Sequence, residues 1–170
     1  MDKAITTAFM IIVSVVVSVM VFNSVYPAVV QSSASLTSMQ SRMDERMKSQ
    51  IKIVHVTGEL DSLGNWQDSN GDGHFSTLIW VKNVGSLRIA AVSEVDVFFG
   101  PEGNFVRIPY IDDAGGSFPY WDVTVENAAQ WDPTATARIT IHDGSPRPRG
   151  RYFIKVALPN GLSDDDFFGL

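Results

Sequence analysis

Hydrophobic and polar positions divide this chain into stretches of different period. From residue 4 to residue 22, apolar and small side chains follow one another for 19 residues. At a rise of about 1.5 Å per residue, a helix of that length spans roughly the 30 Å hydrocarbon layer of a bilayer. Its valines and isoleucines would also suit a buried strand, but the length and the absence of turn residues favour a helix, which satisfies its own backbone in lipid. From residue 23 to residue 50 the pattern changes. Leu36, Met39, Met43 and Met47 recur at spacings of three and four, with Arg42, Asp44, Glu45, Arg46 and Lys48 elsewhere, which predicts an amphipathic helix. Pro27 removes one backbone donor and is expected to kink the rod. If residues 4–50 form one helix, it is about 70 Å long. At Ile51 the period falls to two. Short β-like runs follow at 51–57, 76–84, 92–99, 104–109, 120–126, 136–142 and 152–158, parted by Gly, Pro, Asn and Asp. Seven short strands with such spacing predict an antiparallel sandwich of immunoglobulin-like size, hence an α+β chain of long helix and all-β domain.

Charge follows the same division. Between residues 4 and 41 there is no Asp, Glu, Lys or Arg. Residues 1–50 carry a net charge of +1 and residues 51–170 one of −7, so the β-rich part is acidic and faces water. That balance argues against nucleic acid as a partner, since phosphates call for a basic face. With 170 residues, a large multidomain enzyme is excluded, and with no cysteine so are disulfides, thiolate chemistry and Cys-based zinc sites.

No catalytic motif stands out: there is no G-x-S-x-G, no H-E-x-x-H and no phosphate-cradling glycine loop. The three histidines, His55, His74 and His142, stand apart in sequence. The sharpest local pattern is Asp68-Ser69-Asn70-Gly71-Asp72-Gly73, which repeats the opening of a calcium loop, with oxygen ligands at alternate positions and a glycine at the turn. Asp68, Asn70 and Asp72, with the His74 carbonyl, are the candidate ligands for Ca²⁺, and Asp61 is a candidate for completing the set. The twelfth position is Ile79 where an EF-hand has a bidentate Glu, so an EF-hand is rejected. The competing reading is a plain Asn/Asp/Gly turn. Arg147, Arg149 and Arg151 alternate with Pro and Gly in a loop, where they either meet an acidic neighbour or sit solvated.

A minimal charged leader, a charge-free helix with a proline inside it and a following sandwich resemble the type IV pilin superfamily and, within it, the archaellins, the archaeal-type flagellins. The residues that carry the resemblance are Asp2-Lys3-Ala4-Ile5-Thr6-Thr7-Ala8, the apolar run to Phe22, the step Asn23-Ser24-Val25-Tyr26-Pro27-Ala28 and Trp80-Val81-Lys82-Asn83-Val84-Gly85. The resemblance implies a leader (1–3), a membrane or filament-core helix (4–50) and an outer sandwich (51–170). It implies no enzymatic activity and a homopolymeric extracellular filament for motility. Phe9, Ile12, Val16, Val19, Phe22, Tyr26 and Val30 would then form the core, and the precursor would sit in the cytoplasmic membrane before the assembly machinery takes it up. A leader peptidase would cut at Lys3-Ala4 or Ala4-Ile5. Two other readings stay open: a pilin-like accessory or stator protein of the same machine, and a membrane-anchored immunoglobulin-like binding module.

Overall fold

The computed structural model describes residues 2–68, 71 and 73–170. They fall into two compact units, Met1–Met43 and Asp44–Leu170. Helix α1 (Asp2–Lys48) runs for 47 residues with Pro27 inside it, so the proline removes one hydrogen bond without ending the helix. Asp2 stands in the first turn and Arg46 and Lys48 in the last, each with the sign that the helix dipole favours. Asp44 and Lys48, four residues apart, pair at 2.7 Å. Within the apolar run, the hydroxyls of Thr6, Thr7, Ser14 and Ser18 all donate to carbonyls three or four residues earlier, at 2.7–2.8 Å. Hydroxyls folded back on the backbone in this way leave no unmet side-chain donor among the Ser and Thr residues of that run, which is what an apolar solvent requires.

Among the described residues, the second unit holds eight strands: β1 (Ile51–Gly58), β2 (Phe75–Asn83), β3 (Asp96–Pro101), β4 (Val106–Ile108), β5 (Tyr120–Glu126), β6 (Thr136–Asp143), β7 (Arg151–Ala157) and β8 (Ser163–Gly169). They form two antiparallel sheets, β1-β2-β6-β5 and β4-β3-β7-β8. Lettered in chain order these are A-B-E-D and C′-C-F-G, the immunoglobulin arrangement with one added strand beside C. The corner residue of that fold is present too: Tyr152, at the start of β7, donates its hydroxyl to the Pro148 carbonyl at 2.8 Å.

Alternation puts Ile79 and Val81 of β2, Ala137, Ile139 and Ile141 of β6, Val97 and Phe99 of β3, and Tyr152, Ile154 and Val156 of β7 on the inner faces, where all are buried. Trp121 and Trp131 are the largest fully buried side chains of the core. Three details depart from the sequence expectation. Residues 92–94 form a 3₁₀ turn, so β3 starts at Asp96 rather than at 92. In β1 the register slips between Ile53 and His55, leaving Val54 as a bulge. Unbroken alternation would have carried His55 inward with Ile51 and Ile53; the bulge turns it outward, where its ring lies 5.6 Å from that of Trp80.

The third departure is β8, an eighth strand that the pattern did not predict. Asp164, Asp165 and Asp166 give this segment no local strand signal, because strands seldom carry three adjacent carboxylates. Backbone pairing with β7 overrides that preference: residues 163–169 pair with 151–157 throughout. Asp164 also closes the side of the sandwich, accepting from the Ile53 backbone N–H at 2.7 Å and pairing with Lys52 at 3.1 Å.

Candidate functional site: an apolar helix and a joint at the sandwich

No residue of α1 is buried. Phe9, Ile12, Val16, Val19, Phe22, Tyr26 and Val30 lie along it with 50–68% of their surface exposed, and the Phe22 and Tyr26 rings stack at 5.4 Å. Ile5, Met10, Ile11, Val13, Val15, Val17, Met20 and Val21 are exposed to a similar degree, so the run is apolar around its whole circumference rather than along one stripe. The helix is long and apolar enough to cross a membrane. Covering a Val- or Leu-sized side chain is worth about 1.5–3 kcal/mol, so a segment with this many requires lipid or other helices around it. Lys3, Ala4 and Ile5 sit in the first turns of α1.

At the other end the helix is gripped. Residues 44–48 belong to the same compact unit as the sandwich. The Ser49 N–H continues the helical pattern by donating to the Glu45 carbonyl at 2.8 Å. Lys48 then gives its carbonyl to the Ser86 N–H at 2.8 Å, and the Gln50 carbonyl accepts from the N–H groups of Val84 and Gly85 at 2.9 and 3.0 Å. On the opposite side, Arg46 Nε donates to the Asn160 carbonyl at 2.7 Å, while the Asn160 side-chain amide donates to Ser49 Oγ at 2.9 Å. Helix C-termini leave carbonyls without intrahelical partners, and here the sandwich supplies the donors.

Asn83 builds this socket. It is fully buried at the end of β2, and its side-chain amide donates to the carbonyls of Leu87 and Trp131 at 2.8 and 3.2 Å, while its Oδ1 accepts from the Gly85 N–H at 3.0 Å. Gly85 has no room for a larger residue: a Cβ there would come within 2.5 Å of the Gln50 nitrogen and the Lys48 oxygen. The motif Trp80-Val81-Lys82-Asn83-Val84-Gly85, read in sequence as part of a strand, is therefore a strand that ends at Asn83 and turns into a clamp. Glu45, Ser49, Ser86 and Asn160 carried no sequence signal for this role beyond the turn chemistry of Asn and Gly.

Of the candidate calcium ligands, Asn70 and Asp72 lie outside the described residues. Asp68 accepts from the backbone N–H groups of Gly71 and Gly73 at 2.6 and 2.8 Å, one to each carboxylate oxygen. The His74 ring packs 4.7 Å from Phe118. Asp61 is engaged in its own turn. It accepts from the backbone N–H groups of Leu63 and Asn65, both at 2.8 Å, and from the Asn65 amide at 3.2 Å. The Asn65 backbone bond, followed by its side-chain bond, holds the Asp61 carboxyl below its ordinary value. Among the described residues, no three His, Asp or Glu side chains are grouped to hold a metal.

The arginine loop is tied inside the chain. Arg147 makes a two-pronged contact with Asp143 and lies 4.5 Å over the Phe99 ring, Arg149 bonds the carbonyls of Leu63 and Gly64, and Arg151 pairs with Glu102. His142 contacts Asp122 at 2.9 Å and stacks on Tyr120.

The chain is similar to two solved structures from Sulfolobus acidocaldarius. One is the archaellum periplasmic stator protein FlaG, at 26% identity and a TM-score of 0.54, with 71% of this chain and 99% of that chain covered. The other is the archaellum periplasmic stator protein complex of FlaF and FlaG, at 25% identity and a TM-score of 0.53, with 70% and 88% covered. No curated protein matches the chain. A family model described as archaeal-type flagellin matches residues 2–166, helix and sandwich together. The chain is therefore a member of the archaeal-type flagellin family, related to proteins of the archaellum.

Proposed function

We propose that this protein is a stator-type accessory subunit of the archaellum, held in the cell membrane by the apolar part of α1, with its sandwich outside the membrane. The observation that carries this reading is the likeness to the FlaG structure, which extends over 99% of that chain at 26% identity. The physical design supports it. Residues 4–22 match the thickness of a bilayer, and an apolar surface on every side suits lipid. A stationary part of a motor must resist force, and the joint meets that need with backbone hydrogen bonds from residues 84–86 and a second grip from Asn160. No catalysis enters the reading, because the family and its structural relatives are structural parts of the archaellum. Shearing filaments from cells tests it: the protein should stay with the membrane fraction and leave only with detergent.

A second reading, the filament subunit, is favoured by the family match that includes the helix from residue 2 onward. On that reading α1 leaves the bilayer to pack with copies of itself, and the mature chain begins at Ala4 or Ile5. The protein would then be found in the sheared filaments, with that N-terminus by mass spectrometry.

A further inference from the structure

An open concavity of about 680 Å³ lies where β5 ends and β6 begins, lined by Trp80, Glu126, Asn127, Asp132, Thr134 and Thr136. In β2, β6 and β5 the residues Val81, Ala137 and Val125 are paired and point inward, so Trp80, Thr136 and Glu126 belong to the outer face of the sheet. The neighbouring His55 ring braces Trp80 from the β1 side.

Two features separate this groove from an ordinary surface dip. The first is its backbone. Among the described residues, the non-glycine residues with positive φ are Asn127 at 56° and Thr134 at 71°, and both line the groove. A β-branched residue in the left-handed region is a true outlier, held here because the Thr134 N–H donates to the Asn83 carbonyl at 2.8 Å. Such strain is kept where the surroundings over-determine it, and it clusters at ligand clamps. The second is charge. Each carboxylate of the lining has a cation beside it: Glu126 lies 3.4 Å from Arg138, and Asp132 lies 2.8 Å from Arg88. The charges that line the groove are therefore balanced, and the exposed Lys82, opposite Thr136 on the same face, stands outside the lining. The lining itself contains one large aromatic ring, two hydroxyls, an amide and carboxylate oxygens, and its carboxylates are already paired rather than open to a metal.

We propose that this groove binds a neutral carbohydrate, with a sugar ring face on Trp80 and its hydroxyls on Asn127, Thr134, Thr136 and Glu126. A pyranose has an apolar C–H face that suits an indole and a rim of hydroxyls that both donate and accept, which matches a lining of mixed donors and acceptors. The concavity falls in the size range of small-ligand sites. A peptide fits less well, since the apolar lining beyond Trp80 is limited to Ala128, Pro133 and Ala135. The assignment holds whether the protein is a stator or a filament subunit.

The test uses the full chain in lipid nanodiscs, screened against immobilised neutral oligosaccharides of hexoses and N-acetylhexosamines, acidic oligosaccharides and peptides. The best glycan is then titrated in solution. Selective binding of a neutral glycan is expected, weakened about tenfold or more by Trp80→Ala and partly restored by Trp80→Phe. Phe167→Ala, an exposed aromatic on the other sheet, should leave binding unchanged. Should Trp80→Ala fail to fold, Asn127→Ala and Thr136→Val address the same groove and should each weaken binding. The proposal is overturned if no neutral glycan binds at millimolar concentration, if acidic glycans or peptides bind instead, or if binding survives these groove substitutions.

Discussion

Gly85→Ala tests the joint most directly. Gly85 has no left-handed backbone to lose, so alanine is conformationally acceptable there and the effect is steric. The new methyl would lie 2.5 Å from both the Gln50 nitrogen and the Lys48 oxygen and 3.0 Å from the Ser49 carbonyl carbon, all of them backbone atoms that no rotamer change can move aside. To make room, the chain at 48–50 must separate from the turn at 84–86. That separation breaks the bonds from Val84 and Gly85 to the Gln50 carbonyl and from Ser86 to the Lys48 carbonyl. At about 0.5–1.5 kcal/mol each, three such bonds amount to roughly 2–4 kcal/mol. For a unit of this size that is a fall in Tm of roughly 10 °C. The measurement is thermal melting of the full chain in nanodiscs, followed by tryptophan fluorescence, with amide exchange read at residues 84–86. Ser86→Ala is the control, because its hydroxyl reaches Lys48 only at 3.4 Å while its backbone bond is retained. A Gly85→Ala protein that melts within about 2 °C of the parent, with residues 84–86 still protected, would refute the account of the joint.

Four further outcomes are expected. Val16→Asp places a carboxylate in the middle of the apolar run, where insertion into a bilayer costs about 2.5–3.5 kcal/mol; membrane fractionation should show weakened insertion while circular dichroism shows an intact sandwich. Asp164→Ala should destabilise the sandwich by about 1–3 kcal/mol, because it strands the Ile53 N–H, whereas Asp165→Ala, facing solvent opposite Lys155, should change denaturant midpoints little. Asp61 has a carboxyl held below 3.8, so its contribution is present above that pH and lost as pH falls through the lower native value. A titration following the Leu63 and Asn65 amides by NMR should therefore show a midpoint below 3.8, and Asp61→Asn should abolish it. The calcium proposal for residues 68–74 is checked by melting with and without chelator: a bound ion at about 100 times its Kd adds about 2.7 kcal/mol, and identical curves remove the site.

The helix and most of the sandwich were legible in the order of apolar and polar residues alone. A charge-free run in which one apolar residue follows another leaves a helix as the structure that closes its own hydrogen bonds, and α1 extends from Asp2 to Lys48. Period-two runs with Gly, Pro and Asn between them located seven of the eight strands, because each inner-facing residue must be apolar wherever it stands in the chain. What lay beyond the sequence depends on partners distant along the chain. β8 exists because β7 offers it a complete edge, and its three aspartates hid it from any local preference. His55 faces outward because of a bulge that alternation does not announce. The joint unites residues 45–50, 83–87 and 160, and the groove unites Trp80 with residues 126–136, so neither has a local pattern to read. Both arise from the packed fold, since a hydrogen bond between distant residues depends on where the fold brings their backbones, and local periodicity records only which side of an element faces the core.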